Sequence, residues 1–312
     1  MDDLKAVIEA KYQSFPELVA VYDVFNREEY RLPVADLIQF IPNSPDFVLS
    51  IPHAGVFVPS EFVDRFDLSE KAMVEIDLFS DVIYETLGGL RVVSWLAPFF
   101  IDMNRADPSE HGEGVPRHLL NKPHEYMTVD DRPILKRPYS PAETKEVLRY
   151  YDLYHDIVSA ALNWMKRQFG YGLLIDGHSM TAVGQGRVYD EGHPRDNFVV
   201  GTLHDTSADA AIIDAFVETL KKSAESFQLG FTVAKNVPYS GGFITRKHHN
   251  PNEHFHAIQI EVTMDTYMYE AVDRDLVRRY ALKQPRIKIV RDILRKAIHA
   301  ACDAARKIYC RS

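Results

Sequence analysis

Short apolar runs that stop at chemically active polar residues constrain this chain more than any other feature. Phe47-Val48-Leu49-Ser50-Ile51 is closed by Pro52 and followed by His53. Leu173-Leu174-Ile175 runs into Asp176, His178 and Ser179, and Ala257 to Val262 carries Gln259 and Glu261. Arg91-Val92-Val93-Ser94-Trp95, Phe99-Phe100-Ile101-Asp102 and Phe231-Thr232-Val233 are similar in kind. Runs of this length between turn formers read as buried strands. Between them lie longer helical patterns. Ser140-Pro141-Ala142-Glu143 combines a capping Ser, a Pro suited to the first helical position and a Glu that completes a capping box. That helix is predicted to run to Phe169, where Gly170 ends it. Ser69 is predicted to cap a helix carrying Met73, Ile76, Val82 and Ile83, and Ser207 one carrying Ile212, Phe216, Leu220 and Phe227. Ile287, Val290, Leu294, Ala297, Ala301 and Ile308 outline a long last helix. This alternation predicts an α/β fold with a mixed, mostly parallel sheet flanked by helices.

There is no internal repeat and no evident linker, so a single domain over 1–312 is expected. Residues 106–139 are rich in proline, histidine and charge and have no clear period, which marks a long loop insertion. The chain has 36 basic and 45 acidic side chains, a net charge of −9. Without a long basic run, this argues against nucleic acid or an anionic membrane as partner. No run of about 18 apolar residues suggests a membrane span. The start, MDDLKAVIEAKYQ, is not a signal peptide in pattern. Cys302 and Cys310 would lie roughly 12 Å apart along a helix, too far for a disulfide. A cytoplasmic protein is expected, while nothing points to an oligomeric state.

Ligands of open α/β sheets bind at the carboxyl ends of strands. His53 and His178 both follow or end such runs. Two imidazoles meeting there suit a zinc-type ion, which takes neutral nitrogen ligands, a carboxylate and an open position. Either His alone would read as a structural hydrogen-bonder, and no His-Glu-x-x-His motif is present. Asp77 and Asp81, four apart on a predicted helix, share a face; they are either a solvated pair or a source of the third ligand. Glu261 lies among Ile and Val on the same side of its strand as Gln259. A buried Glu needs a partner, so a structural salt bridge and a catalytic base are both open. Arg105 and Arg246 could hold an anionic substrate through the two-point guanidinium fork. Gly241-Gly242 allows close backbone approach to a ligand. His248, His249, His254 and His256 crowd the approach to Glu261. The Ser of Gly-His-Ser179 lies in no Gly-x-Ser-x-Gly elbow, which argues against a serine hydrolase.

The segments SIPHAGVFVP, EIDLFSDVIYETLG, FIDMNR, IDGHSM, GGFITRKH and HAIQIEV, in this order, resemble the N-formylglutamate amidohydrolase family from about residue 47 to 270. The resemblance implies a fold similar to zinc carboxypeptidases and aspartoacylase-like amidohydrolases. It implies metal-dependent hydrolysis of an amide on an amino acid, releasing formate and glutamate in the namesake case, within histidine degradation. Carried over by position, His53, Asp77 and His178 are implied as metal ligands, with Asp81 in reserve. The wider group has a Glu three residues after the first His, where this chain has Val56. Glu261 matches the base, and Asn104-Arg105 resembles the pair that grips a substrate carboxylate. Arg246, Gly242 and His256 complete the expected substrate side. Asp102, Asp176 and Ser179 are expected to support the ligands.

The implied scheme uses Zn2+ or another divalent metal, with Arg105 serving both the oxyanion and the substrate carboxylate. The partner is then a small acidic amino-acid derivative. Phe79 stands where the family commonly has His, and His248-His249 where it has Tyr-Gly. Two alternatives follow: hydrolysis of a different N-acyl amino acid or small peptide on the same scaffold, or a catalytically silent protein that binds an acidic ligand.

Overall fold

The chain lays down ten strands among the residues described by the computed structural model, which are 1–68, 76–106, 134–185, 190–269 and 282–310. They are β1 (Val19–Asp23), β2 (Glu28–Leu32), β3 (Ile38–Ile41), β4 (Val48–Ile51), β5 (Phe57–Pro59), β6 (Leu90–Ser94), β7 (Gly172–Met180), β8 (Phe198–Gly201), β9 (Val233–Lys235) and β10 (Phe255–Thr263). Seven form one sheet in the order β3-β6-β4-β7-β10-β8-β9, and β2-β1-β5 form a small antiparallel sheet. The middle of the large sheet, β6-β4-β7-β10, is parallel; β3 runs antiparallel to β6 at one side, and β8, itself parallel to β9, runs antiparallel to β10 at the other. This is the mixed, mostly parallel α/β architecture the sequence predicts. Strands of such a sheet are covered on both faces and so read as continuous apolar runs; every residue of β4, β7 and β8 is buried.

Helices cover the two faces. The helix Pro141–Phe169 begins at the expected capping box: Ser140 Oγ accepts from the Glu143 amide, and the Glu143 carboxylate accepts from the Ser140 amide. It ends at Gly170, whose φ of 84° is left-handed, as an αL helix stop requires. Its Leu162 packs on Gly172, on the face of β7 that also carries Asp176 and His178. The opposite face carries Tyr84, packed on Gly177, and the helices Ala210–Ser226 and Gln284–Tyr309, which pack against each other. One hydrophobic cluster runs from Leu4 and Ile8 near the start to Ala305 near the end.

Several expectations are corrected. Phe99-Phe100-Ile101-Asp102 is not a strand but a buried turn, in which the amides of Phe100 and Ile101 donate to Ala97 O. Its rings fill an aromatic cluster with Phe62, Phe66 and Tyr150, so packing rather than strand pairing explains the apolar run. The helix near Asp77 starts only at Ser80, because Phe79 has a left-handed φ of 60° that a helix cannot continue through; the proposed cap Ser69 and Met73 lie outside the described residues. The helix expected from Ser207 begins at Ala210, and the Ser207 hydroxyl instead donates to Ala257 O. Most of the 106–139 insertion also lies outside the described residues. Cys302 and Cys310 are unpaired thiols. No helix among the described residues is long and apolar enough to cross a membrane.

Candidate active site

Strand register assembles the site. Ser50 on β4 pairs with Asp176 on β7, Asp176 with Gln259 on β10, and His178 with Glu261. Since side chains alternate, Asp176 and His178 share one face with Gln259 and Glu261. Pro52 ends β4, and His53 follows it onto the same end of the sheet. Asp77 is brought in by backbone: its amide donates to His53 O, and its carboxylate Oδ2 accepts from the Ser179 amide.

His53 Nδ1 lies 3.7 Å and His178 Nδ1 3.4 Å from the same oxygen, Asp77 Oδ2. The other nitrogen of each ring meets its own carboxylate: His53 Nε2 is 2.8 Å from Asp102, and His178 Nε2 3.2 Å from Asp176. A carboxylate only accepts, so a ring that gives its proton to that carboxylate from Nε2 presents a lone pair at Nδ1; the Asn104 Nδ2 amide also lies 3.3 Å from His178 Nε2. Two lone pairs and a carboxylate oxygen then converge, within 4.8 Å of one another, in a buried place. Such a set is self-repelling without a cation between its members. The residues therefore fit a divalent metal of the zinc type. In the bare cluster a proton takes that role. Burial works against charge on His178, but Asp176 and Asp77 outweigh burial and push its pKa well above the ordinary value.

The supporting carboxylates are themselves held. Burial alone would raise Asp102, yet Arg105 and His53 beside it keep its carboxyl well below the usual carboxylate range. Arg105 Nη1 lies 3.3 Å from Asp102 Oδ2, and the Asn104 amide donates to Asp102 Oδ1 at 2.7 Å. Asp176 accepts from Ser50 Oγ at 2.8 Å, and Ser50 Oγ is 2.8 Å from the Tyr154 hydroxyl. With its one proton on Asp176, Ser50 is the acceptor of the Tyr154 bond. A buried chain thus runs from the helix Pro141–Phe169 to His178.

Glu261 is buried opposite His178. Burial, with Asp77 nearby, pushes its pKa up to about 8, against the opposing pull of His178 and of the hydrogen bond from Gln259. Gln259 Nε2 donates to Glu261 Oε1 at 2.7 Å, while Gln259 Oε1 accepts from the Gly242 amide. Asn104 is gripped on its other side by the short helix Phe243–His248: its Oδ1 accepts from the Ile244 amide at 2.8 Å. Arg246, on that helix, is half-buried, and its Nε has no hydrogen-bond partner among the described residues.

The structure thus brings His53, Asp77, His178, Asp102, Asn104, Arg105, Asp176, Ser179, Gly242 and Glu261 together. Arg246 stands on the helix that grips Asn104, and two expected residues do not join the set. Asp81 sits within the helix Ser80–Tyr84 rather than on a shared face with Asp77, and its electrostatic neighbours are Glu85 and Arg291. His256 lies five residues before Glu261, roughly 16 Å back along β10 at about 3.3 Å per residue. There it packs on Tyr309 and accepts from the Asp209 amide. Sequence reasoning missed Ser50 and Tyr154, which read as ordinary strand and helix core residues. It also missed Arg195, whose guanidinium clamps Asp190 over the Tyr239 ring and feels the charge of Glu261. A loop arginine followed by Asp carries no local signal for that placement.

The family model described as N-formylglutamate amidohydrolase matches residues 45–268. The chain belongs to the N-formylglutamate amidohydrolase family. It is 26% identical over 254 residues to an N-formylglutamate deformylase of Pseudomonas putida, covering 79% of this chain and 90% of the relative. A second deformylase, from Pseudomonas aeruginosa, is 28% identical over 249 residues, covering 75% and 86%. The crystal structure of an N-formylglutamate amidohydrolase from Ralstonia eutropha JMP134 superposes with a TM-score of 0.68 at 23% identity, covering 86% of this chain and 98% of that one. A gene product from Agrobacterium tumefaciens shares the fold more loosely, with a TM-score of 0.52 at 16% identity, covering 95% and 97%.

Proposed function

We propose that this chain, an amide-hydrolysing enzyme by family, is metal-dependent and cleaves N-formylglutamate to glutamate and formate. The observation that carries this is the convergence of His53 Nδ1, His178 Nδ1 and Asp77 Oδ2, with Glu261 opposite His178 in register. The N-formylglutamate relatives supply the substrate. Two imidazoles and one carboxylate suit Zn2+. When bound there, such an ion lowers the pKa of a water and polarises the amide carbonyl.

This chain's own residues do the rest. Asp102 and Asp176 hold the two imidazoles in the tautomer that leaves Nδ1 free. Glu261 takes the proton of the attacking water and delivers it to the amide nitrogen, which leaves as the amine of glutamate. Gln259 occupies one oxygen of Glu261, which leaves the other for the water. Arg105 offers its fork to the developing oxyanion or to a substrate carboxylate, and Arg246 offers a second cation for the other carboxylate. The reaction fits histidine degradation in the cytoplasm.

The test is formate release from N-formyl-L-glutamate by the purified, zinc-loaded protein, beside a panel of N-acetyl and other N-formyl amino acids. Turnover should be greatest for the formyl-glutamate pair, vanish with a chelator and return with zinc. Turnover that ignores the chelator removes the metal scheme. Preference for another acyl group or amino acid removes the substrate assignment.

A further inference from the structure

The helix Pro141–Phe169 buries a second pair of histidine contacts that the reaction scheme does not use. His155 Nε2 lies 3.0 Å from Met103 O, and His155 Nδ1 lies 3.0 Å from His248 Nε2. Both rings are buried and stacked, with centroids 5.2 Å apart. A carbonyl only accepts, so neutral His155 carries its proton on Nε2 and donates it to Met103. Its Nδ1 is then an acceptor, and His248 Nε2–H must be the donor. Burial, reinforced by the partner ring and by Lys247, drives the pKa of His155 well below its ordinary value, which keeps this arrangement neutral.

The position of this pair is what matters. Met103 and Arg105 flank Asn104. One turn before His155 on the same helix face, the Tyr151 hydroxyl donates to Arg105 O at 3.0 Å. The long helix therefore holds the carbonyls on both sides of Asn104. His248 closes the helix whose first turn holds the Asn104 side chain through the Ile244 amide, and which carries Arg246. The contacts form a ring: Met103 to His155, His155 to His248, His248 through its helix to Ile244, and Ile244 back to Asn104. A buried polar pair costs desolvation unless it is fully satisfied. Here it joins two separate segments that share no strand.

We propose that His155 is a positioning residue, which locks the Asn104–Arg105 loop and the helix of Arg246 into one clamp for the substrate's carboxylates. The inference rests on the reading of Arg105 and Arg246 as substrate-binding. His155→Phe keeps a ring of similar size and loses both hydrogen bonds. His155→Gln can still donate from Nε2 to Met103 O and accept at Oε1 from His248.

The experiment measures steady-state N-formyl-L-glutamate hydrolysis, calorimetric binding of L-glutamate and zinc content for the holoenzyme and both variants. His155→Phe should raise KM and weaken glutamate binding by roughly tenfold, about 1.4 kcal/mol. Its kcat should stay within about threefold and its zinc content at the wild-type level, because His53, Asp77 and His178 take their own bonds from Asp102, the Ser179 amide and Asp176 rather than from His155. His155→Gln should recover KM to within about threefold of wild type. An unchanged KM in His155→Phe, or a His155→Gln enzyme that folds but stays as impaired as His155→Phe, overturns the proposal. If His155→Phe does not fold, Tyr151→Phe, which removes only the hydroxyl on Arg105 O, decides: a raised KM at unchanged kcat supports the clamp, and an unchanged KM overturns it. A wild-type enzyme that neither hydrolyses N-formyl-L-glutamate nor binds glutamate instead fails the substrate reading, and this inference with it.

Discussion

Glu261 shows what one residue's surroundings decide. A carboxylate buried on a central strand would ordinarily shed its charge, and burial does push the Glu261 pKa to about 8. Gln259 donates to it and His178 stands opposite, so the charged form keeps partners within the site. Glu261→Gln is isosteric and can still accept from Gln259 Nε2, so the pocket should keep its shape. It cannot take a proton from water. Its kcat should fall by about 10²- to 10⁴-fold, the usual contribution of a general base. Zinc content, measured by elemental analysis, should not change. Wild-type turnover with retained metal would remove Glu261 from the base role. The pairing of Gln259 with Glu261 was legible in the sequence, because strand alternation alone puts them on one side. The sequence offered Asp77 and Asp81 alike as a source of a third ligand, and only the family resemblance singled out Asp77. It sits in a turn, fixed by its amide bond to His53 O, and no periodic pattern foretells a turn.

Elements differ in how plainly the sequence writes them. The helix Pro141–Phe169 was legible to the residue, since a capping box and a stop glycine are local signals that tertiary packing here leaves intact. The small sheet of β1, β2 and β5 was not, because β2 is nearly all exposed and carries no apolar alternation. The turn Phe99–Asp102 looked like a strand because buried aromatics fill a cluster whatever their backbone does. The loop into the helix Phe243–His248 gives the element-scale prediction. Gly242 has an ordinary φ of −82°, so its backbone does not demand glycine. Space does: a Cβ there would come within 2.2 Å of Asn104 Nδ2 and 2.5 Å of Oδ1. The Asn104 amide is pinned by Ile244 and cannot swing aside freely. Gly242→Ala should therefore displace Asn104 and raise KM about tenfold, equal to roughly 1.4 kcal/mol of lost substrate binding. Thermal denaturation beside the kinetics would show whether the loss is local. A normal KM in a folded Gly242→Ala protein would mean that Asn104 does not contact substrate.

At the scale of the whole molecule, the thirteen histidines divide by environment, and that division gives stability a pH dependence. His53 and His178, with Asp77, form the cluster that could hold a metal. His155 and His248 are buried as a neutral pair, and burial, with Lys247 adjacent, lowers the pKa of His248 from 6.5 to about 3. A histidine whose folded pKa is depressed stabilises the fold fully above its unfolded pKa. As pH falls below 6.5, the unfolded chain takes up a proton that the folded His248 refuses, so stability drops until pH reaches the folded value near 3. His178 and Glu261 titrate in the opposite sense when the cluster is bare, since both bind a proton more readily folded than unfolded. A raw stability profile therefore mixes the two signs, and a difference between variants separates them. His248→Gln can still donate to His155 Nδ1 but does not titrate. Chemical denaturation of both zinc-loaded proteins should show wild type losing about 2 kcal/mol relative to His248→Gln between about pH 7 and about pH 5. Above about pH 7 the difference should be flat, because His248 is neutral in both states. A difference that stays flat down to about pH 5 would mean that folded His248 takes up the proton as readily as the unfolded chain does. The neutral imidazole pair would then not be what joins the long helix to the Asn104 loop.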